Sequence, residues 1–213
     1  MIIKFDGIDG CGKSTLSRAV AEELSSRNYT VSQVSEFSSP ANYAQGSTHA
    51  AAIDSMRIRE AVLDPAFDCD DVERQLLLHF LSRRRNRVEI PHLDRLCDFV
   101  VVDRSTLSNF AYAGAVDPKL TALSDIAIAG MESADVIFWI DTPVDVCMAR
   151  IGARSIDAVE QKGYAYFDQV REIFRSRVGE HPAVHVLDGR NRIGDLVATV
   201  LSVVANRSTP PDS

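Results

Sequence analysis

The chain has 213 residues, of which 46% are hydrophobic and 25% charged, and its formal net charge is −7. This composition is typical of one globular domain with a sizeable core, which we expect to span residues 1–206 with a disordered tail at 207–213. The acidic balance argues against nucleic acid or an anionic membrane as a partner, because both select basic surfaces. The 4 cysteines form no CxxC pair, and no leader or membrane-spanning run stands out, so we expect a reduced, cytoplasmic protein.

Short apolar runs alternate with longer amphipathic ones along the chain. The apolar runs predict strands at Ile2–Phe5, Thr30–Val34, Phe99–Val102, Val136–Ile140 and Val184–Leu187. Helical spacing predicts helices at Lys13–Arg27, Val72–Leu96, Leu120–Glu132, Val144–Ile151, Tyr164–Val178 and Ile193–Ala205, the second with a bend or an end near Pro91. Apolar strands separated by helices imply right-handed crossovers and a sheet covered on both faces. The expected fold is a three-layer α/β/α, mainly parallel, five-stranded sheet that binds ligands at the carboxyl ends of its strands.

The first predicted strand leads through GIDGCGKST, residues 7–15, into the first predicted helix. A Gly, four residues and Gly-Lys-Ser in this context are the signature of a phosphate-binding P-loop. Backbone N–H groups of the turn and the positive end of the helix would surround the phosphates. Lys13 would reach the β- and γ-phosphates of a nucleoside triphosphate, and the Ser14 hydroxyl would bind Mg²⁺. The residues predicted to bind the triphosphate are Gly7, Asp9, Gly10, Cys11, Gly12, Lys13, Ser14 and Thr15.

The third predicted strand ends in FVVVD, residues 99–103. An apolar strand that delivers a carboxylate beside a P-loop is the arrangement that holds hydrated Mg²⁺, so Asp103 is the second predicted metal ligand. Arg104 follows directly and is expected beside the phosphates. The chain has no NKxD-like segment for guanine and no helicase or transporter signature. The sequence therefore predicts a nucleotide or small-molecule kinase with the P-loop NTPase fold.

The chain resembles the thymidylate kinases, which phosphorylate dTMP, over most of residues 1–200. FDGIDGCGKST resembles the family's F-E-G-x-D-G-x-G-K-[ST]-T, and DRSTLSNFAY resembles its D-R-x-x-x-S-x-x-A-Y. LLHFLSR, residues 77–83, resembles L-L-F-x-x-D-R, and residues 140–161 resemble the strand, helix and lid, with the lid at about 150–161. The resemblance implies transfer of a phosphoryl group from ATP, with Mg²⁺, to a nucleoside monophosphate, in the first place dTMP. It also implies a homodimer.

Roles for individual residues follow from the same resemblance. The implied acceptor-binding residues are Asp9 at the deoxyribose hydroxyl, His79 or Phe80 at the base, Arg83 and Arg104 at the phosphate, Asn109 at the base edge, and Tyr112 near the sugar and base. Arg150 and Arg154 match the family's lid arginines, which close over the donor and stabilise charge on the transferred phosphoryl group. The implied catalytic residues are therefore Lys13, Arg104, Arg150 and Arg154.

The departures from the family pattern lie in the acceptor pocket. His79 stands where the family usually has a Phe that stacks on thymine, and the neighbouring Phe80 points about 100° away on a helix. A shift of one residue would restore Phe80 and make Arg84, rather than Arg83, the phosphate ligand. Both alignments are open at this point.

Two further departures concern charge. Residues 35–46 contain no arginine, where the family usually has one for the acceptor phosphate, and Asp6 is one methylene shorter than the family's usual Glu. These differences leave open a kinase for another nucleotide or small metabolite. A non-catalytic nucleotide-binding module is the alternative of a different class, and the intact Lys13, Ser14 and Asp103 argue against it.

Overall fold

The computed structural model describes residues 1–34, 57–128, 134–152, 157–179 and 184–208. Within these ranges five strands form one sheet in the order β2-β3-β1-β4-β5, and each neighbouring pair is parallel. The strands are β1 (Ile2–Asp6), β2 (Val31–Val34), β3 (Phe99–Asp103), β4 (Val136–Asp141) and β5 (Val184–Asp188). The predicted parallel, five-stranded sheet is confirmed.

Helices follow the strands and cover the sheet. They are α1 (Lys13–Ser26), α2 (Asp71–Arg84), α3 (Ile90–Asp94), α4 (Thr106–Val116), α5 (Leu120–Ile128), α6 (Val144–Ile151), α7 (Gly163–Val178) and α8 (Ile193–Ser208), with a π-helix at Arg85–Glu89 and a 3-10 helix at Glu160–Lys162. Residues 57–63 are also helical. In the described ranges, no helix has the length and apolar character needed to cross a bilayer.

The central strand β1 buries both of its faces. Ile3 and Phe5 lie in the larger of two buried apolar clusters, together with Leu16 of α1. Ile2 lies in the smaller one, which contains Ile90 of α3. Burial on both faces is the reason why such strands read as continuous apolar runs. The layers predicted from those runs are therefore confirmed.

The predicted helix Val72–Leu96 is formed by α2, the π-helix and α3 in direct succession. It begins with a capping box, in which Asp70 accepts from the backbone of Glu73 and Glu73 accepts from the backbone of Asp70. The π-turn comes immediately before Pro91, which has no N–H and whose ring would clash with the carbonyl of Arg87 in a regular α-helix. The wider turn accommodates the proline without ending the helical path.

One other predicted boundary differs from the structure, and several predicted features lie outside the described residues. Helix α8 continues through Ser208, beyond the predicted domain boundary at 206. The loop at 35–46, Arg154 with its neighbours 153–156, the predicted end of a helix at Glu132, and tail residues 209–213 lie outside the described ranges. Because β1 is paired with both β3 and β4, the residues that follow β1 and β3 meet at one edge of the sheet. That edge carries the candidate site.

Candidate active site

The turn between β1 and α1 has the backbone of an anion cradle. Gly10 has a φ of 79° and Gly12 a φ of 101°, both in the left-handed region that glycine adopts without strain. A Cβ on Gly10 would lie only 2.4 Å from the carbonyl oxygen of Cys147, so no side chain fits there. Gly12 is the N-cap of α1, and the residues that follow it, Lys13 and Ser14, line a cavity at the sheet edge. The positive end of α1 therefore faces that cavity.

Two of the predicted loop residues lie behind the cradle. Gly7 and Cys11 do not line the cavity, and the Cys11 side chain is buried. Burial raises the pKa of the Cys11 thiol, so it is a neutral, packed group. The backbone of Cys11 holds the turn, because its N–H donates to the carbonyl of Ile8 at 3.2 Å.

Asp9 joins two cations and a phenol. Its Oδ1 lies 3.1 Å from Lys13 Nζ and also accepts a hydrogen bond from Arg104 Nη2. Its Oδ2 accepts from the Tyr112 hydroxyl at 2.9 Å, and the Arg104 guanidinium lies 4.9 Å from the centre of the Tyr112 ring. Burial alone would raise the pKa of Asp9, but the charges of Arg104 and Lys13 outweigh it and hold that pKa well below its usual range. Asp9 is therefore an ionised bridge between the P-loop and the Asp103–Tyr112 segment.

Ser14 and Asp103, the two residues predicted to bind Mg²⁺, lie in direct contact. Ser14 Oγ donates to Asp103 Oδ2 at 2.5 Å, across the β1–β3 edge. Asp103 Oδ1 is buried and has no hydrogen-bond partner among the described residues. A hydroxyl beside an unused carboxylate oxygen fits a hard cation such as Mg²⁺. Among the described residues, no group of three or more His, Cys, Asp or Glu could hold a metal, so water and phosphate would supply further ligands.

The backbone at Arg104 is strained and held in place. Its φ is 77°, a left-handed value that is rare for a residue other than glycine. Its N–H donates to the carbonyl of Phe5 at 2.8 Å. The Arg85 guanidinium donates to the carbonyl of Asp103 at 3.2 Å and to that of Arg104 at 2.6 Å. Such a backbone persists only where its surroundings fix it, and functional sites are where it concentrates.

Asp6 also fixes the turn that contains Arg104. Its carboxylate is fully buried and accepts the backbone N–H of Gly7 at 3.3 Å and that of Ser105 at 3.2 Å. It also accepts the hydroxyls of Ser105 and Ser108. Burial raises the pKa of Asp6, and the two serine hydrogen bonds oppose that rise. This single carboxylate therefore connects the end of β1 to the start of α4, directly after Arg104.

The cavity itself has a volume of about 600 Å³ and extends from the P-loop to α2. The residues of the long helix that line it are Gln75, Leu78, Ser82 and Arg85. Their spacing of three, four and three residues places them on one helical face. Gln75, Ser82 and Arg85 were not predicted from the sequence, because the apolar residues of this helix do not mark a single buried side.

The acceptor residues predicted on α2 do not face the cavity. Phe80 is 58% exposed on the opposite side of the helix. His79 is buried towards α5, where its Nδ1 lies 2.7 Å from the carbonyl of Gln75 and its Nε2 2.7 Å from Ser124 Oγ. Neither Arg83 nor Arg84 lines the cavity, so both predicted alignments of the helix differ from the structure. The reason is its rotation, which places Arg85 on the cavity face.

The remaining predicted acceptor residues do line the cavity. Asn109 and Tyr112 of α4 form part of its wall with Arg104. Asn109 Nδ2 is buried and has no hydrogen-bond partner among the described residues. Their roles stay predictions, but their position matches the expectation.

Arg150 lies at the other end of the cavity and contacts backbone. Its Nη1 donates to the carbonyls of Gly10 and Cys11, each at 3.2 Å, and its Nη2 donates to the carbonyl of Gly189 at 3.3 Å. It therefore connects the P-loop to the turn after β5. Arg154, its predicted companion, lies outside the described residues.

Comparison with known proteins shows the family to which the chain belongs. The family model described as thymidylate kinase matches residues 5–200. A thymidylate kinase from Thermosipho africanus is 30% identical over 211 residues, which are 96% of this chain and 97% of that protein. One from Pseudomonas fluorescens is 34% identical over 194 residues, 88% of this chain and 86% of that protein.

A solved structure supports the fold independently. The thymidylate kinase from Candida albicans matches with a TM-score of 0.71 and 16% identity, over 100% of this chain and 95% of that one. At that identity the likeness concerns the fold, which is the P-loop NTPase fold predicted from the motifs. Together with the family match over most of its length, these findings show that the chain belongs to the thymidylate kinase family of nucleoside-monophosphate kinases.

Proposed function

We propose that this protein transfers the γ-phosphoryl group of ATP to dTMP, giving dTDP and ADP. Membership of the thymidylate kinase family supports the two substrates. The observation that carries the proposal is the contact of Asp9 with Lys13, Arg104 and Tyr112. Through this cluster the P-loop is coupled directly to the α4 wall of the same cavity, where a second substrate fits.

On the donor side, Lys13 and the amides at the start of α1 would hold the triphosphate. Mg²⁺ would be held at Ser14 and Asp103, and when bound it would neutralise phosphate charge. Phosphoryl transfer depends on alignment and on cations around the transferred group rather than on covalent help from the protein. Lys13 and Arg104 supply two such cations, and we assign Arg150 and Arg154 to the donor end.

On the acceptor side, we assign the phosphate to Arg104, with Arg85 in the place predicted for Arg83. Asn109 and Tyr112 would contact the base and sugar, and Asp9 the sugar hydroxyl. Since Asp9 is ionised and paired with Lys13 and Arg104, substrate phosphates would compete with it for both cations. Their binding would free the carboxylate to accept from the sugar.

The direct test is an ADP-release assay with dTMP, dUMP, dCMP, dGMP and no acceptor. We expect dTMP to give the highest kcat/KM, with ATP hydrolysis in the absence of acceptor much slower, because a closed active site excludes water. A clear preference for another monophosphate would assign the enzyme to that acceptor. Absence of turnover with every monophosphate would overturn the proposal.

We also propose that the protein is a homodimer that pairs through α2 and α5. Val72, Leu76 and Phe80 form an exposed apolar stripe at spacings of four residues on α2. Leu123 and Ile126 are exposed on α5, which packs against α2. Apolar side chains that are contiguous and exposed in this way are typical of an interface.

The Phe80→Glu variant tests this pairing. A charge at the centre of an apolar interface is expected to weaken dimerisation by about 100-fold or more, because it would be buried without a partner. Sedimentation velocity at micromolar concentration measures the change. Leu96→Glu is the matched control, since Leu96 is also 58% exposed but lies away from the stripe. A wild-type protein that sediments as a monomer would refute the dimer.

The cysteines support a reducing compartment. Cys11, Cys69, Cys97 and Cys147 are all unpaired, and Cys11 and Cys147 are buried. Cysteines that stay free are the rule where thiols are kept reduced. We therefore place the protein in the cytoplasm.

A further inference from the structure

Gln75 carries a buried polar group for which the described residues provide no hydrogen-bond partner. It lies on the cavity face of α2 and is only 3% exposed. Its Nε2 is buried and makes no hydrogen bond with any described residue. An amide without an acceptor costs free energy in the folded protein, and such a group calls for a specific explanation. In a cavity wall, the direct explanation is a ligand that supplies the acceptor.

The neighbouring wall of the cavity carries a second group of the same kind. Asn109 of α4 lines the same cavity, and its Nδ2 is also buried without a partner among the described residues. Helices α2 and α4 pack against each other, so the two amides belong to adjacent walls. The side-chain amides of Gln75 and Asn109 therefore both provide unused N–H donors for a ligand in this part of the cavity.

A buried histidine fixes the backbone of Gln75 relative to α5. His79 Nδ1 lies 2.7 Å from the carbonyl of Gln75, and its Nε2 lies 2.7 Å from Ser124 Oγ of α5. Because a backbone carbonyl can only accept, Nδ1 of His79 is the donor and Nε2 accepts the hydroxyl proton of Ser124. The buried histidine therefore positions α2 relative to α5, rather than contacting a substrate.

Apolar side chains also line this cavity, among them Leu63, Leu78 and Val159, together with charged ones such as Arg59 and Glu160. A flat ring with carbonyl oxygens on its edge satisfies both features, since its faces contact the aliphatic side chains and its edge accepts from the amides. The base of a thymidine or uridine nucleotide has this chemistry.

We propose that Gln75 is a specificity-determining residue, which donates a hydrogen bond from its side-chain amide to the 4-carbonyl of the acceptor's pyrimidine. This inference rests on the proposed function, because it takes a nucleoside monophosphate as the second substrate. Cytosine has an amino group in place of that carbonyl. Its amino group and the Gln75 amide would then both be hydrogen-bond donors, and no hydrogen bond would form between them. Gln75 thereby favours keto pyrimidines over amino pyrimidines and is indifferent to the 5-methyl group.

The test compares kcat/KM for dTMP, dUMP and dCMP in wild type, Gln75→Leu and Gln75→Glu. Leucine removes the donor at similar size, and glutamate replaces it with an acceptor of nearly the same shape. We expect kcat/KM for dTMP and dUMP to fall together by about 10-fold or more, mainly through KM, and that for dCMP to change little in Gln75→Leu. In Gln75→Glu we expect the dCMP:dTMP ratio to rise further. Gln161→Leu, at an exposed glutamine, is the matched control.

The outcomes separate this inference from the function on which it rests. An equal loss with all three monophosphates would mean a structural effect and would overturn the role of Gln75 while leaving the kinase assignment intact. Unchanged kinetics in both variants would do the same. If wild type phosphorylates none of the three, the proposed function and this inference both fail. Should Gln75→Leu not fold, the near-isosteric Gln75→Glu alone decides.

Discussion

Replacing Lys13 with alanine is expected to lower kcat by on the order of 10²–10³-fold. Lys13 is buried at the start of α1 and lines the cavity with the N-terminal amides of that helix. Burial and the charge of Arg104 lower the pKa of Lys13, but the neighbouring acidic groups, Asp9 foremost and Asp103 with it, raise it, and the net result is a pKa above the ordinary value. The side chain is therefore a fixed cation near the bridging phosphates, where charge develops during transfer.

The same variant should leave the fold intact. Asp9 keeps its contacts with Arg104 and the Tyr112 hydroxyl when Lys13 is absent, so its carboxylate is not left buried and unpaired. A coupled ADP-release assay measures kcat, and a thermal melt checks that the midpoint stays within a few degrees of wild type. Lys119→Ala, at an exposed lysine, is the control for loss of one positive charge. If Lys13→Ala turns over at the wild-type rate, the phosphate assignment is wrong.

The donor half of the site is readable from sequence because its geometry is local. Within a few residues, β1, the turn glycines and the start of α1 fix where Lys13 and Ser14 lie. Asp103 joins them because it ends the strand beside β1, and the apolar run FVVVD identifies that strand. Each step needs only backbone conformation and strand adjacency. Arg154 and the loop at 35–46 lie outside the described residues, so their roles stay predictions.

The acceptor half is set by long-range packing. The run Leu76–Leu81 has apolar side chains on every side of the helix, so its pattern does not define which side is buried. Contacts with α4 and α5 choose the rotation, which brings Leu78 and Arg85 to the cavity and turns Phe80 outwards. A family motif aligns residues along the sequence and does not specify the rotation of the helix about its axis. This is why the two alignments considered from sequence both missed Arg85.

The two halves of the site meet at Arg104, and the second large effect is expected from the residue that fixes its backbone. Asp6 does not line the cavity, so the effect of changing it must pass through the turn that it holds. Each of its carboxylate oxygens accepts one backbone N–H, from Gly7 at Oδ1 and from Ser105 at Oδ2. In Asp6→Asn, one of these N–H groups faces an amide NH₂ in either orientation of the side chain. No rotation of the asparagine removes that donor–donor contact.

We therefore expect Asp6→Asn to lower the free energy of unfolding by about 1–3 kcal/mol, the cost of leaving a buried N–H unsatisfied. Relaxation of the turn would also displace Arg104, whose strained backbone depends on it. A displacement of about 1 Å in a positioning group costs on the order of 100-fold in rate. The expected loss is accordingly about 100-fold in kcat/KM for dTMP, measured beside a chemical denaturation curve for the free energy of unfolding.

Two further variants distinguish positioning from general destabilisation. Ser108→Ala removes only a hydroxyl donor and leaves both backbone N–H groups paired with Asp6, so it should lower stability while costing at most about 10-fold in kcat/KM. Asp6→Glu keeps both acceptors and should recover part of the lost activity, although its extra methylene must fit a fully buried position. If Asp6→Asn loses stability but keeps its kcat/KM, then Asp6 does not position Arg104. The Arg85 hydrogen bonds to the carbonyls of Asp103 and Arg104 would then be the restraints to test next.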